Sequence, residues 1–180
     1  MSEAKTGKEF MTHELDEAIA VQRAIVKAEE GLSRDHPSPS AKRLIKDSLK
    51  EDQRFLRELE TLGRPWGATG KAEEVAAALE QLMSESSQKA SEAESEAYEA
   101  HAVLLNLKRK QQDSGSAMLK IARAMKDRQM RDAAREFATA TKASAQQLAV
   151  ELAAFAVTIA TADGGGPRSS TTKRSSRASA

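Results

Sequence analysis

Residues 40–62 read SAKRLIKDSLKEDQRFLRELETL, and this stretch decides the fold class of the chain. Its apolar positions recur every three or four residues, a period that places them on one face of an α-helix. The members of this stripe are Ile45, Leu49, Phe55, Leu56, Leu59 and Leu62, with Asp52 as a charged interruption. Gly63, directly after the stripe, is a typical helix stop signal. We therefore predict an amphipathic helix over residues 40–62 that packs one face against other helices.

The sequence before this stretch predicts a helix that packs against it. A stripe of the same period covers about residues 12–32, and Thr12 is the predicted N-cap. The run SRDHPSPS (33–40) ends that helix, because Pro37 and Pro39 exclude the residues before them from helical conformation. On the other side, the Gly-containing loop GRPWGATG (63–70) is expected to bring Trp66 to one end of a bundle.

Two longer helical patterns follow in the second half of the chain. A third helix is predicted over about residues 71–112, and DSGS (113–116) indicates a break before a fourth helix that ends near residue 159. A kink or short break within these helices is expected at SESSQKAS (84–91) and KDRQ (126–129), where the apolar stripe thins. Short turns make consecutive helices antiparallel. The prediction is an all-α, up-and-down four-helix bundle, although the exact number of helices stays open.

The composition agrees with a helical protein and excludes several kinds of chemistry. The 180 residues include 28 Lys and Arg, 27 Asp and Glu, and no Cys, and the formal net charge is +1. Without cysteine, thiol catalysis, thiolate metal sites and disulfide bonds are impossible. One Trp, one Tyr and four Phe are too few and too scattered to form a base-stacking platform for nucleic acid.

Three regions follow from the distribution of residue types. Residues 1–11 are predicted to be a flexible N-terminus, and residues 12–162 to be the helical bundle domain. Residues 163–180 are rich in Gly, Ser and Thr and carry several basic residues, a composition typical of a disordered basic tail. Such a tail either contacts nucleic acid or an acidic partner weakly, or only keeps the protein in solution.

The chain shows no recognisable targeting sequence. Its first residues, MSEAKTGKEFMTHEL, lack the apolar core of a signal peptide, which favours the cytoplasm. The longest apolar run, residues 148–162, contains Glu151 and is shorter than the ~18 residues expected of a membrane span. It is therefore interpreted as the end of a helix, and no transmembrane segment is expected.

Polar side chains interrupt the apolar stripes at Gln22, Glu29, Asp52 and His101. One interpretation makes them remnants of an inward polar site. The other makes Gln22 and Asp52 hydrogen-bonded core residues and places Glu29 and His101 at the edge of a stripe, with their polar ends in water.

Helix bundles often bind a metal pair through a Glu-x-x-His pattern, because two side chains three residues apart share a helix face. That pattern is absent here, since Phe10, Ser33 and Tyr98 stand three residues before the three histidines. No metal site is therefore predicted.

Two further motifs do not predict a ligand site. Gly70-Lys71 lacks the surroundings of a phosphate-binding loop, because Pro65 stands where that loop needs Gly and Ala72 where it needs Ser or Thr. The densest basic cluster of the body, LKRKQQ (107–112), lies near the predicted end of the third helix. Cations at that position complement the helix dipole, which accounts for the cluster without nucleic acid.

Three segments resemble the ferritin-like YciF-type stress proteins: SLKEDQRFLRELETLG (48–63), AEEVAAALEQLM (72–83) and SEAYEAH (95–101). The resemblance covers about residues 12–105 and implies a ferritin-like bundle. Gln22 stands where that family has a metal-binding Glu, Phe55 where it has the His of Glu-x-x-His, and Ala97 where a His would follow Glu94. The resemblance therefore implies a member that has lost its dimetal centre, because Phe cannot bind a metal and Gln binds one far less well than Glu.

Several functions remain open at this stage. The first is a non-catalytic ferritin-like bundle, a structural, scaffold or stress-associated protein without a cofactor, which forms a homo-oligomer or binds a protein partner. The second is an iron or manganese protein with a non-standard site, for which the candidates to substitute first are Asp52, Glu96, Glu99 and His101, with Glu29 and Glu94 beside them. The third is a phasin-like amphipathic adaptor that coats a hydrophobic surface. A fourth is nucleic-acid binding through the tail.

Overall fold

The computed structural model describes residues 7–71 and 93–162, and all regular structure within these ranges is helical. The four helices are α1 (Gly7–Asp35), α2 (Pro39–Gly63), α3 (Ala93–Ala124) and α4 (Arg128–Ala162), with a short 3-10 turn, Arg64–Trp66, after α2. The predicted all-α, four-helix architecture is confirmed. The predictions for residues 1–6, for the first part of the third helix (72–92) and for the basic tail (163–180) lie outside the described residues.

α1 begins earlier than the sequence pattern predicts. It starts at Gly7, so residues 7–11 belong to a helix and not to a flexible N-terminus. Thr12 lies within α1 and is not its N-cap, since its hydroxyl is 3.0 Å from the carbonyl of Lys8 and 2.9 Å from that of Trp66. The early start has a packing reason: Met11 is fully buried, so the first turns of α1 are held by contacts with the core.

α2 follows its prediction closely. The hydroxyl of Ser38 accepts the backbone N–H of Ala41 at 3.4 Å and caps the helix, and Pro39 occupies its first turn. The predicted stripe is confirmed as the inward face, with Ile45, Phe55 and Leu59 among its buried residues. Asp52 is buried in the same face.

The break predicted at DSGS (113–116) is wrong, because α3 continues through it to Ala124. Ser114 and Gly115 are both buried. A Cβ atom on Gly115 would lie 3.1 Å from side-chain atoms of Phe137 and Ala138 on α4. Gly115 thus lets α3 and α4 approach closely, and this packing outweighs the low intrinsic helix propensity of the segment.

The break between α3 and α4 lies instead within KDRQ (126–129), one of the two positions where the apolar stripe thins. Lys126 adopts a left-handed backbone conformation with a φ of 59°. The carboxylate of Asp127 then accepts the backbone N–H of Met130 at 2.9 Å and caps α4. α4 therefore begins at Arg128 and not directly after residue 116.

The four described helices do not alternate in direction, and for them the predicted up-and-down order is wrong. α1 and α2 are joined by a short turn and run antiparallel, as do α3 and α4. α3 is also antiparallel to α1, because Gln111 contacts Ala18 while His101 contacts His36. α2 and α3 consequently run in the same direction. The prediction assumed a short turn between consecutive helices, and the residues that follow α2 up to residue 92 lie, from residue 72 on, outside the described part of the chain.

The buried apolar residues of the described helices form two clusters. The first lies where α1 begins, which we call the Trp66 end, and includes Met11, Leu15, Phe55, Met118 and Phe137. The second lies where α1 ends, which we call the His36 end, and includes Val21, Ile25, Ile45, Leu104 and Leu148. Trp66 is half-buried and packs against the first cluster, in agreement with its predicted place at one end of the bundle.

The loop after α2 is fastened to α1 by hydrogen bonds. The carboxylate of Asp16 accepts the backbone N–H groups of Thr69 and Gly70 at 2.6 and 2.8 Å. Gly70 has a left-handed φ of 72°, and a Cβ atom at this position would collide with the side chain of Ile19. Only glycine combines this backbone conformation with such a close approach to α1.

Candidate functional site

Charged and polar side chains occupy the interior where the two apolar clusters meet. The ammonium nitrogen of Lys108 on α3 lies 3.0 Å from Oε1 of Glu29 on α1. The same nitrogen donates to Oγ of Ser48 at 3.0 Å and to the carboxylate of Asp52, both on α2. The side chains of Lys108 and Glu29 are 1% and 0% exposed. We call Glu29, Ser48, Asp52 and Lys108 the ion cluster.

Helical spacing brings the members of the ion cluster together. Ser48 and Asp52 lie one turn apart on α2, so both project from its inward face, and the hydroxyl of Ser48 donates to Oδ2 of Asp52 at 2.9 Å. Ser48 also lies 3.0 Å from Oγ of Ser144, which connects the cluster to α4. Side chains from all four helices thus take part in the polar interior.

Two glutamines extend the ion cluster toward the Trp66 end. The amide nitrogen of Gln22 donates to Oδ1 of Asp52 at 2.7 Å and to the Asp52 carbonyl at 3.0 Å. Gln111 donates in turn to Oε1 of Gln22 at 2.7 Å and to the carbonyl of Ala18 at 2.9 Å. Because Gln22 uses its amide hydrogens on Asp52, it fixes the orientation of the carboxylate that faces Lys108.

The ion cluster is electrically balanced at neutral pH. Burial raises the pKa of Glu29 to about 8, and the negative charge of Asp52 acts in the same direction while Lys108 opposes it. Glu29 is therefore protonated at neutral pH, and the charges that remain are one ammonium and one carboxylate. This balance agrees with the cost of burying an uncompensated charge, which is large in an apolar interior.

Three buried oxygens in this region lack a hydrogen-bond partner in the described part of the chain. They are the two carboxyl oxygens of Glu29 and Oε1 of Gln111. Oε1 of Glu29 nevertheless lies 3.0 Å from the ammonium nitrogen of Lys108, so this carboxyl group has a charged neighbour. Such buried polar atoms are uncommon, and here they lie beside the buried ammonium of Lys108 and the side chain of Gln22.

A second buried polar contact joins His36, in the turn between α1 and α2, to His101 on α3. Nδ1 of His36 accepts the backbone N–H of Ser38 at 3.0 Å, so its other nitrogen, Nε2, carries the hydrogen. That hydrogen points at Nδ1 of His101 at 3.2 Å, and Nε2 of His101 donates to the carbonyl of Leu148 at 3.1 Å. Each ring therefore has one donor and one acceptor in use, which is the pattern of two neutral imidazoles.

The surroundings of this histidine pair also favour its neutral form. Burial lowers the pKa of His101 to about 4, and a positive charge on His36 would act in the same direction. Burial likewise lowers the pKa of His36, with Lys42 adding to the effect and the Ser38 hydrogen bond opposing it. Glu151 of α4 acts on both rings in the opposite sense. An added proton on either ring would point a hydrogen at a group that already donates one.

The four candidate residues for a metal do not come together. Asp52 belongs to the ion cluster and His101 to the histidine pair, whereas Glu96 is exposed and Glu99 is half-buried near the start of α3. Glu94 is also exposed. Within residues 7–71 and 93–162, no group of three or more His, Asp or Glu side chains is placed to hold a metal ion.

The interpretation of the four polar residues as structural residues is correct for two of them and wrong for the other two. Gln22 and Asp52 are hydrogen-bonded core residues, as that interpretation predicts. The expectation that Glu29 and His101 keep their polar ends in water is wrong, since both are 0% exposed. Their burial is possible because each has a buried polar neighbour, Lys108 for Glu29 and His36 for His101.

Lys108 is the residue that sequence reasoning missed. The basic run 107–112 lies in the middle of α3 and not at a helix end, so the explanation through the helix dipole is wrong. A signal was present in the spacing. Continuing the inward stripe of α3 from Leu104 in steps of four and three residues reaches Lys108, then Gln111, and all three are buried.

A dimetal centre of the ferritin-like kind does not fit these residues. The position between the inward carboxylates is taken by the Lys108 ammonium. Gln22 turns an amide nitrogen, which is not a metal ligand, toward Asp52. The cluster is also closed to solvent, so a substrate would have to separate the helices to reach it. The arrangement therefore suits packing and charge balance.

The surface of α4 at the His36 end has an unusual outward face. Val150 and Val157 are 68% and 63% exposed, and the residues around them are mostly Ala, Gln and Thr. Glu151, the acidic residue of this half of α4, is half-buried and accepts a hydrogen bond from Ser40 at 2.7 Å. We call the exposed residues of this half the α4 outward face; they are Ala143, Gln146, Gln147, Val150, Ala153, Ala154, Val157, Thr158, Ala160, Thr161 and Ala162.

α4 is also the one helix, among those described, that is long and apolar enough to cross a membrane by length and composition. Of its most apolar window, 17% is buried within the bundle. Most of this apolar segment therefore faces away from the core, and it is a candidate contact surface.

In comparisons with known proteins, no family model and no curated sequence matches the chain. The resemblance to YciF-type proteins over residues 12–105 therefore stays a prediction. Among the described residues, the ion cluster and the α4 outward face are the features from which we propose a function.

Proposed function

We propose that this protein is a non-catalytic, ferritin-like helical bundle that works through its surface as a structural or scaffold protein in stress-associated processes. One observation carries the proposal: the interior position at which such bundles bind metal is filled by the ammonium of Lys108, held by Glu29 and Asp52. The parallel course of α2 and α3 also supports it, because ferritin-like bundles have one long crossover connection.

The α4 outward face is where we place the contact of this scaffold with a second copy of the chain. Its apolar residues extend over several turns. Between Ala143 and Ala162 the surface carries no lysine, no arginine and no exposed acid, and the nearest exposed charge along the helix, Lys142, directly precedes this range. A twofold axis places the same face of two copies against each other, and on an uncharged face no like charges meet in that arrangement. This face offers no exposed charged side chain with which a charged partner could form an ion pair.

The experiment is the mass of the full chain in solution, measured by sedimentation equilibrium. We expect the wild type to form a dimer and the double variant Val150→Lys/Val157→Lys to be a monomer, because four added charges would face each other in the dimer. The matched control, Gln129→Lys/Thr139→Lys, adds the same charge to exposed positions in the first half of α4 and should leave the dimer intact. A wild type that stays monomeric at its highest soluble concentration would contradict self-association.

Metal content tests the non-catalytic part of the proposal. After anaerobic loading with iron or manganese and removal of excess ion, the wild-type protein should retain a small fraction of an ion per chain. One or two tightly held ions per chain would overturn this part of the proposal. The residues to substitute first would then be the candidate ligands Asp52, Glu96, Glu99 and His101.

A phasin-like adaptor is a second candidate, and the same α4 outward face favours it. Phosphatidylcholine vesicles provide the test, with co-sedimentation as the measurement. A coating protein would bind the vesicles, and Val150→Lys/Val157→Lys would remain in the supernatant, because charged residues on this face resist burial in lipid. A dimer that does not co-sediment with the vesicles supports the scaffold function, whereas a monomer that binds them supports the adaptor function.

A further inference from the structure

We propose that a cleft at the Trp66 end of the bundle binds one long-chain fatty acid, with the carboxylate at Lys8 and the acyl chain against Trp66. This inference goes beyond the proposed function, because it assigns a ligand site that a scaffold does not require. It also rests on other residues than the proposed dimer contact, since the α4 outward face belongs to the half of α4 at the His36 end.

The cleft lies between the start of α1, the end of α2 with its 3-10 turn, and the turn that joins α3 to α4. Its volume is about 520 Å³. Clefts of about 300–1,000 Å³, with mostly apolar walls and a few polar groups, are typical sites for small molecules. The cleft therefore has the size of a ligand site.

Most of the wall of this cleft is apolar. The apolar lining residues are Leu62, Pro65, Trp66, Met125 and Met130. The indole ring of Trp66 offers a broad flat surface, and the two methionines have flexible side chains that adapt to the shape of an apolar ligand. Met125 is 41% exposed, so part of this wall is in contact with water and would be covered by a ligand.

The apolar surface continues from the cleft into the bundle. Leu62 and Met130 also line a narrow crevice between α2 and α4, whose deeper residues include Phe55, Leu59 and Phe137. The open space in this crevice is about 10 Å³, which is room for one water-sized group. A narrow apolar path suits an unbranched acyl chain better than a rigid ring system, and each methylene group that leaves water adds to the affinity.

The charge around the cleft favours an anion. The three segments that line it, residues 7–10, 61–66 and 125–130, carry four basic and two acidic residues. The basic residues are all exposed; they are Lys8, Arg64, Lys126 and Arg128. Of the acids, Glu9 does not line the cleft, and Oδ1 of Asp127 already accepts the backbone N–H of Met130. Lys8 is the basic residue that lines the cleft, so its ammonium is the group that would hold a carboxylate.

The experiment is a titration of the full chain with dodecanoate, below its critical micelle concentration, followed by tryptophan fluorescence. Trp66 is the single tryptophan of the sequence, so the signal comes from this cleft. We expect the emission to move to shorter wavelength, because the ring loses contact with water, and to saturate at one dodecanoate per chain. Octanoate, which has four fewer methylene groups, should bind at least about 10-fold more weakly.

A ligand and a variant of opposite charge test the role of Lys8. Dodecyltrimethylammonium has the same alkyl chain as dodecanoate but a positive head group, and it should bind the wild type at least about 10-fold more weakly. Lys8→Glu should reverse this preference. The matched control, Lys27→Glu, makes the same change at an exposed position in the second half of α1 and should bind dodecanoate like the wild type.

Two further variants locate the site. Met125→Glu places a carboxylate in the wall of the cleft and should weaken dodecanoate binding, which keeps the test decisive if Lys8→Glu does not fold. Val150→Lys/Val157→Lys changes the α4 outward face and should leave the titration of Trp66 unchanged.

The other outcomes contradict the inference. If the emission of Trp66 does not respond to dodecanoate, or if dodecanoate and dodecyltrimethylammonium bind equally well, the cleft is not a fatty-acid site. An emission that ignores dodecanoate but changes with protein concentration would show that a second copy of the chain covers the cleft. A wild type that binds dodecanoate but stays monomeric would contradict only the proposed self-association.

Discussion

Oε1 of Glu29 lies 3.0 Å from the ammonium nitrogen of Lys108, and the two side chains expose no more than 1% of their surface. Asp52 contacts the same nitrogen. The two carboxyl groups nevertheless play different parts, since Glu29 keeps its proton at neutral pH while Asp52 carries the charge that balances Lys108. Substitutions of the two acids are therefore expected to differ in their effect on stability.

Asp52→Asn should destabilise the protein at pH 7 by about 3–5 kcal/mol, because it leaves the buried Lys108 without its charge partner. Glu29→Gln should cause no such loss, since it replaces a neutral side chain by another of similar shape. Urea denaturation of both variants beside the wild type measures the two free energies of unfolding. Equal losses in the two variants would contradict the assignment of the charge to Asp52.

The pKa of Glu29 also predicts how stability depends on pH. Its value in the folded protein, about 8, lies above the ordinary 4.5, so the folded state binds a proton more tightly than the unfolded state. The contribution of Glu29 to stability should therefore be greatest below pH 4.5 and fall as pH rises toward 8, by about 1.4 kcal/mol per pH unit. Between pH 6.5 and 8, the wild type should lose stability relative to Glu29→Gln, and parallel pH profiles of the two would contradict this prediction.

The histidine pair predicts the opposite slope at lower pH. Burial lowers the pKa of His101 to about 4 from an ordinary 6.5, so the unfolded state binds more protons between these values. Stability should then decrease as pH falls from 6.5 toward 4. His101→Gln keeps one donor for Leu148 and one acceptor for His36 but cannot titrate, so it should lose less stability over this range. The control is His13→Gln at an exposed position of α1, which should keep the wild-type slope.

Two glycines of the loop after α2 allow a matched test of close packing. Both have left-handed backbones, but a Cβ atom on Gly67 would meet nothing within 4 Å, whereas one on Gly70 would collide with Ile19. Gly67→Ala should cost about 1–2 kcal/mol from backbone strain alone. Gly70→Ala should cost about 1–3 kcal/mol more, because it also overpacks the contact with α1. Thermal unfolding of the two variants measures both losses of stability. Equal losses would contradict the prediction and show that the side chain of Ile19 can move aside at little energetic cost.

The sequence predicts those parts of this fold that depend on local periodicity. The stripe of α2 places Ile45, Phe55 and Leu59 in the core, and that placement is confirmed. The direction of α3 is not a local property, since it shows only in contacts with another helix and its turn, those of Gln111 with Ala18 and of His101 with His36. The buried state of Gly115 is not local either, because it depends on Phe137 and Ala138 in another helix.

In the candidate site, too, the residue that interrupts a local pattern could be predicted, whereas the residue that depends on contacts between helices could not. Asp52 stands out because it interrupts an apolar stripe, and the residue is indeed part of the ion cluster. Lys108 does not stand out, because it belongs to a run of basic residues and its partners are on other helices. A lysine in such a run is ordinarily solvated, and only the position of Glu29 and Asp52 in space distinguishes this one.

The distribution of charge between the two halves of the chain governs how these halves recognise each other. Both inward acids, Glu29 and Asp52, belong to the hairpin of α1 and α2, and the inward lysine belongs to the hairpin of α3 and α4. Two copies of the first hairpin would bring acids face to face, and two copies of the second would bury ammonium groups against each other. Mispairing between like hairpins is therefore costly, and the native pairing of unlike hairpins is selected by repulsion as well as by attraction.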